Sequence, residues 1–212
     1  MGQLNNTQTK FVSPIQGKFV SACEQGQHNF ERKDHETGRV HYGFATNAFE
    51  GYLTNITVED SQYGRQYHFH WIDDTGEEFK MPMKVGSSIA YGFLNSLAGA
   101  AKKGKISYLK LFAKAKQLDD KILTNIYVSD RNGRVEWGYN WKTEVPPTKE
   151  TKNHRGERVI DDKERYEFFD RVLREEISPA LEKIDRAAAK LGLADGQPQT
   201  AAPANDDDDI PF

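Results

Sequence analysis

The sequence contains one cysteine, Cys23, in 212 residues. A lone thiol cannot form an intramolecular disulfide, and it excludes a zinc site built from several cysteines. No apolar run approaches the roughly 20 residues that a membrane helix requires. The first ten residues are polar and lack the apolar stretch of a secretory signal. The expectation is therefore a cytoplasmic protein that does not enter a membrane. The phosphate loop GxxxxGK[ST], the dinucleotide fingerprint GxGxxG and the nucleophile elbow GxSxG are all missing. The expectation is a protein that needs no cofactor and turns over nothing.

An excess of basic charge is missing as well. Lys and Arg number 29 against 32 Asp and Glu, a formal charge of −3. The average hides an asymmetry. Residues 193–212 hold five Asp and no Lys or Arg, so the rest of the chain is +2. Within that body, residues 102–116 carry six Lys and no acid. The distribution of charge, not its sum, points to a polyanionic partner.

Residues 1–147 read as mainly β. Residues 18–23 form a short candidate strand. Residues 52–58 alternate, with Tyr52, Thr54, Ile56 and Val58 expected on one face. Residues 65–72 alternate with Tyr67, Phe69 and Trp71 together. The turn signal Asp73-Asp74-Thr75-Gly76 leads to a return strand at 77–84. A helix follows, capped by Ser87 or Ser88, with Ile89, Phe93 and Leu97 recurring every four residues. Strands resume at 105–116 and 122–129. A second turn signal, Asp130-Arg131-Asn132-Gly133, leads to a last strand at 134–142. Strands, one helix, then more strands is the order of an OB-fold barrel, here with extra strands as decoration.

Residues 148–160 are polar and linker-like. From 161 to 192 apolar residues recur at helical spacing, with Pro179 expected to kink or split the helix. That apolar stripe has to pack on the barrel, on a second copy in a homo-oligomer, or on a partner. Residues 193–212 have the composition of a disordered acidic tail.

The chain ends Asp206-Asp207-Asp208-Asp209-Ile210-Pro211-Phe212. This resembles the tip of bacterial single-stranded DNA-binding proteins, which end in an acidic run and Ile-Pro-Phe behind an OB-fold and a flexible linker. The larger β-domain and the helical segment look more like the divergent single-stranded DNA-binding proteins of tailed bacteriophages. A viral chain of that kind would work in the cytoplasm of a bacterial host. The resemblance implies partners in DNA replication, recombination and repair that are recruited by the tip. Physically, Phe212 would offer an aromatic ring and a carboxylate to an apolar pocket flanked by a cation. Pro211 would lower the ordering cost. The four Asp would steer the tip to basic surfaces.

Sequence-independent binding of a single strand needs cations for phosphates and flat rings for bases. At period two, Ile106, Tyr108, Lys110, Phe112, Lys114 and Lys116 share one face, and Leu109, Leu111, Ala113 and Ala115 share the other. Burying the first set would desolvate three Lys, so Tyr108 and Phe112 are expected outside. Lys102, Lys103 and Lys105 extend the basic stretch. Trp137 and Trp141 on the last strand are candidate stacking platforms with an equal claim to the core. Arg131 and Arg134 flank the Asn132-Gly133 turn, within reach of phosphate. Two rival readings remain: an OB-fold adaptor that binds protein only, and a metal-dependent nuclease using His68, His70 and the nearby Asp73 and Asp74.

Overall fold

In the computed structural model the described residues are 9–190, except 24–25, 34–37, 63, 119–120, 153–154 and 156–157. The acidic tip, Asp206 to Phe212, lies outside them, as does the whole segment 193–212.

The core is built on strand β6 (Gly64–Ile72). Its alternation places Tyr67, Phe69 and Trp71 inward, all essentially inaccessible to solvent. The Asp73–Gly76 turn returns the chain as β7 (Glu78–Lys84), paired to β6 from Gln66↔Lys84 to Ile72↔Glu78. Asp73 makes that turn by accepting the backbone N–H groups of Thr75 and Glu77, both at 2.9 Å. Helix α1 (Ser88–Lys102) follows, with the Ser87 hydroxyl accepting the Ala90 N–H at its N-terminus. Its buried face brings Phe93 edge-on to Phe69, ring centroids 4.8 Å apart.

Two long strands come from either side of this unit. β5 (Ala48–Ser61) pairs with β6, and β8 (Tyr108–Leu118) returns after α1 to pair with β5 from Tyr52↔Tyr108 to Ala48↔Phe112. The spatial order β8-β5-β6-β7 is that of a Greek key, with α1 in its long connection. β9 (Lys121–Asp130) adds to β8, and the two-residue β10 (Gly133–Arg134) ends that side.

The barrel expected from the sequence is not closed. β1 (Lys10–Ile15) lies parallel to β7, β2 (Lys18–Ala22) follows it, and β4 (Val40–Thr46) and β3 (Phe30–Lys33) complete one ten-stranded mixed sheet. The β1–β2 hairpin stands where a closing strand would have to pair. It meets β8 through its turn instead: a Cβ on Gly17 would lie 2.2 Å from the Ala115 nitrogen, and the Gly17 N–H reaches the Thr124 hydroxyl at 3.0 Å. Only glycine fits so close an approach at that positive φ of 77°.

Three further expectations are corrected. A register shift between Leu53 and Asn55 reverses the phase of β5, so Leu53 and Ile56 point into the core while Tyr52 points out. The last strand stops at Arg134, and the segment after it crosses α1. There Asn95, fully buried, donates to the Tyr139 carbonyl and accepts the Tyr139 N–H, both at 2.9 Å. These bonds replace the missing ladder. Residues 148–160 hold an exposed antiparallel pair, β11 (Lys149–Lys152) and β12 (Arg158–Asp161), where a linker was expected. All four residues of each strand have a partner in the other, and the backbone groups on the two outer edges are left to water.

Of the three surfaces open to it, the helical segment packs on this chain's own body. α2 (Lys163–Val172), a π-helical turn (Leu173–Ile177) and α3 (Ser178–Lys190) run consecutively, and the turn ends two residues before Pro179. The wider turn accommodates the missing N–H of proline. Phe169 stacks on Tyr91 of α1, centroids 4.9 Å apart and planes 15° apart, and Phe169, Ile177 and Leu181 are buried in the common core.

Candidate nucleic-acid interface

Strand β8 separates two chemistries by alternation. Leu109, Leu111 and Ala113 face the core and are buried. Tyr108, Lys110, Phe112, Lys114 and Lys116 face away from it, as the cost of desolvating three Lys requires. Ile106, placed with that outer set by the sequence pattern, is buried because β8 begins only at Tyr108. Ala115 is exposed, because β8 has left its β5 neighbour by that point.

The flanking strands extend the outer face. Register brings Tyr52 opposite Tyr108, Glu50 opposite Lys110 and Ala48 opposite Phe112. On the other side Tyr127 is opposite Phe112, Asn125 opposite Lys114 and Leu123 opposite Lys116. Tyr52, Tyr108, Phe112 and Tyr127 therefore form a patch of rings across three strands. Cations stand over three of them: Arg131 over Tyr108 at 5.6 Å, Lys110 over Phe112 at 5.6 Å, and both Lys114 (5.8 Å) and Arg134 (5.2 Å) over Tyr127. Tyr52 and Tyr127 are missing from the DNA-binding candidates that the sequence pattern offered. The phase of residues 122–129 carries Tyr127, but its neighbour across the hairpin is visible only from register.

Acids also border this face. Glu50 lies 3.4 Å from the Lys110 ammonium. The Tyr108 hydroxyl donates to Asp74 at 3.1 Å, and burial, followed by the negative field of Glu50 and this bond to Asp74, pushes its pKa up to about 12. The phenol stays protonated throughout the ordinary pH range.

The other sequence candidates lie elsewhere. Lys102, at the end of α1, donates to the Gly138 carbonyl at 2.9 Å and sits 3.4 Å over the Tyr139 ring, so it is committed to holding the crossing segment. Lys103 pairs with Glu136 at 3.0 Å and Lys105 with Asp130 at 3.4 Å. Trp141 packs on Phe169 and belongs to the edge of the core. Trp137 is 55% exposed and stands edge-on to Trp141 in the segment that crosses α1, not on a strand.

His68 and His70 do share the outer face of β6, with Glu59 and Lys80 beside them. Lys80 donates to both Glu59 oxygens, at 2.8 and 3.1 Å, and His70 pairs with the Thr57 hydroxyl at 3.0 Å. Desolvation and then the Lys80 charge lower the pKa of both imidazoles. Among the described residues no group of three or more His, Cys, Asp or Glu is placed to hold a metal ion. Asp73 and Asp74 are taken up by the turn and by Tyr108. Among the described residues no helix is long and apolar enough to cross a membrane.

Compared with known proteins, the chain matches no family model, no curated protein and no solved structure.

Proposed function

We propose that this protein binds single-stranded DNA through the outer face of β5, β8 and β9, with little preference for sequence, and that it acts without catalytic turnover. The observation that carries the reading is the interleaving of Tyr108, Phe112 and Tyr127 with Lys110, Lys114, Arg131 and Arg134 on one exposed surface. Rings stack on any base and cations meet phosphates, and neither reads base edges. The Greek-key order with a helix before its fourth strand, followed by a fifth strand, favours an OB-type unit opened by the β1–β2 hairpin. In this reading residues 206–212 recruit replication, recombination or repair proteins in the cytoplasm where the DNA is exposed.

The test is anisotropy of a labelled dT oligomer titrated with the full chain at several salt concentrations. Binding that weakens steeply with salt and is competed equally by other single strands is expected. No binding at any salt, with the tip still capturing a partner, would replace this reading by a protein-only adaptor. Degradation of the oligomer that stops with EDTA would replace it by a nuclease.

A further inference from the structure

Beyond Phe112, β8 leaves its β5 neighbour. The ladder ends at Ala48↔Phe112, and the chain bends at Asn47, whose carbonyl accepts the Ala113 N–H at 2.9 Å. From there β8 and β9 continue as a two-stranded arm, while β4 and β3 project as a second arm paired to β2. Between the two arms lies a cleft of about 580 Å³. Its floor is the β1–β2 turn with Pro14 and Gln16, one wall is Ile122 and Thr124 of β9, and the other carries Arg32 and Lys33 of β3.

The cleft is a built feature. Gly17 is jammed against Ala115, and its N–H is bonded to Thr124, so the floor is tied to one wall. Gln16 holds φ at 49°, the one non-glycine residue in the left-handed region among those described. Such a conformation costs free energy and persists where surrounding structure imposes it. Arg32 and Lys33 are exposed, and neither has an ion pair among the described residues. The one acid in the lining, Glu31, is bonded to His28 at 2.6 Å. Ile122 is 48% exposed and presents apolar surface to the same space.

We propose that this cleft is a second contact site for the same single strand, in which Arg32 and Lys33 take phosphates and Ile122 packs against a base. The strand crosses from the ring-bearing outer face, past Lys114 and Lys116, around the β8–β9 arm and into the cleft. The inference rests on the function proposed above. It adds a site formed between the N-terminal strands and β9, apart from the patch of rings on the outer face.

The test compares the full chain with its Arg32→Ala/Lys33→Ala variant and with a distant control, Lys163→Ala/Lys183→Ala, on a dT oligomer of about 30 nucleotides, longer than the roughly 4–16 that one such domain covers. Both pairs are exposed, so folding is preserved. Losing two phosphate contacts is expected to flatten the slope of log affinity against log salt by about 1.4, at ~0.7 per phosphate on single strands. The occluded length is expected to shorten, and the control to match the parent. Photocrosslinking of a 4-thiothymidine oligomer is expected to mark the peptide carrying Ile122. A slope and occluded length equal to those of the parent would remove the cleft while leaving the outer face intact. Equal losses in both variants would mean a general field effect and would also remove it. Tighter binding by the cleft variant would point to the acidic tail as its occupant and overturn the proposal. No binding by the parent chain would overturn the function itself, and the cleft with it.

Discussion

Tyr108 stands edge-on to Tyr52, ring centroids 4.9 Å apart and planes at 71°, while its hydroxyl is held by Asp74. The pair anchors one end of the outer face, and its rings are fixed before any ligand arrives. Tyr108→Ala is expected to weaken single-strand binding by about 1–3 kcal/mol, the worth of one base stack. Tyr108→Phe keeps the ring and should retain most of the affinity. Anisotropy titrations of both variants check this, and equal losses would assign the effect to the hydroxyl.

Glu50 presents a carboxylate to Lys110 on the same face. A phosphate competing for that ammonium meets the acid. Glu50→Gln is expected to tighten binding about two- to fivefold at low salt, the scale of an exposed pair. The gain should fade as salt screens the charge. An unchanged affinity at low salt would place the bound strand away from Lys110.

Asn95 bonds both backbone groups of Tyr139 in a fully buried position. Asn95→Ala leaves a donor and an acceptor unpaired, and a loss of roughly 2–4 kcal/mol is expected. Asn95→Asp still accepts the N–H but cannot donate to the carbonyl. Denaturant midpoints of both variants measure the difference.

Phe169 ties the helical segment to α1 by stacking on Tyr91. Phe169→Ala is expected to cost about 3–5 kcal/mol of global stability. The transition should remain single, because the helices share the core with the sheet. Two separate unfolding transitions in calorimetry would show that the segment folds apart from the body.

His68 is 7% exposed, faces Lys80, Glu59 and His70, and has its pKa lowered by burial and then by Lys80. The unfolded chain therefore takes up this proton at a higher pH than the folded one. The stability is fully present above the ordinary value of about 6.5 and is lost as pH falls below it toward the lowered folded value. Thermal melts between pH 7.5 and 5 should show a decline that His68→Gln reduces, with His70 supplying the remainder. A variant that declines as steeply as the parent would exclude His68 as its source.

Local signals were legible from the residues alone. The alternation of Tyr67, Phe69 and Trp71, the Asp73–Gly76 turn and the Ser87 cap each involve neighbours a few positions apart. The inside-outside division of β8 was legible for the same reason, since burying Lys110 and Lys114 is costly in any fold. The β5 bulge was not, because one inserted residue reverses the faces without disturbing the composition. The crossing of α1 by residues 135–145 was also hidden. A segment with strand-like alternation was drawn away by Asn95, some forty residues earlier, and by the close approach at Gly99, where a Cβ would lie 1.9 Å from the Glu136 carbonyl.

Chemistry of short range, meaning periodicity, turn residues, caps and the cost of burying charge, came from the order of amino acids. It sufficed to put Lys and rings on one side of a strand. Long-range pairing decided the rest. Register across β5, β8 and β9 brought Tyr52 and Tyr127 beside Tyr108 and Phe112, and the β1–β2 hairpin, wedged against Ala115, kept the sheet open and shaped the cleft below Arg32 and Lys33. Such contacts join residues up to a hundred positions apart. Their energies depend on what the whole chain buries at once, which no local pattern records.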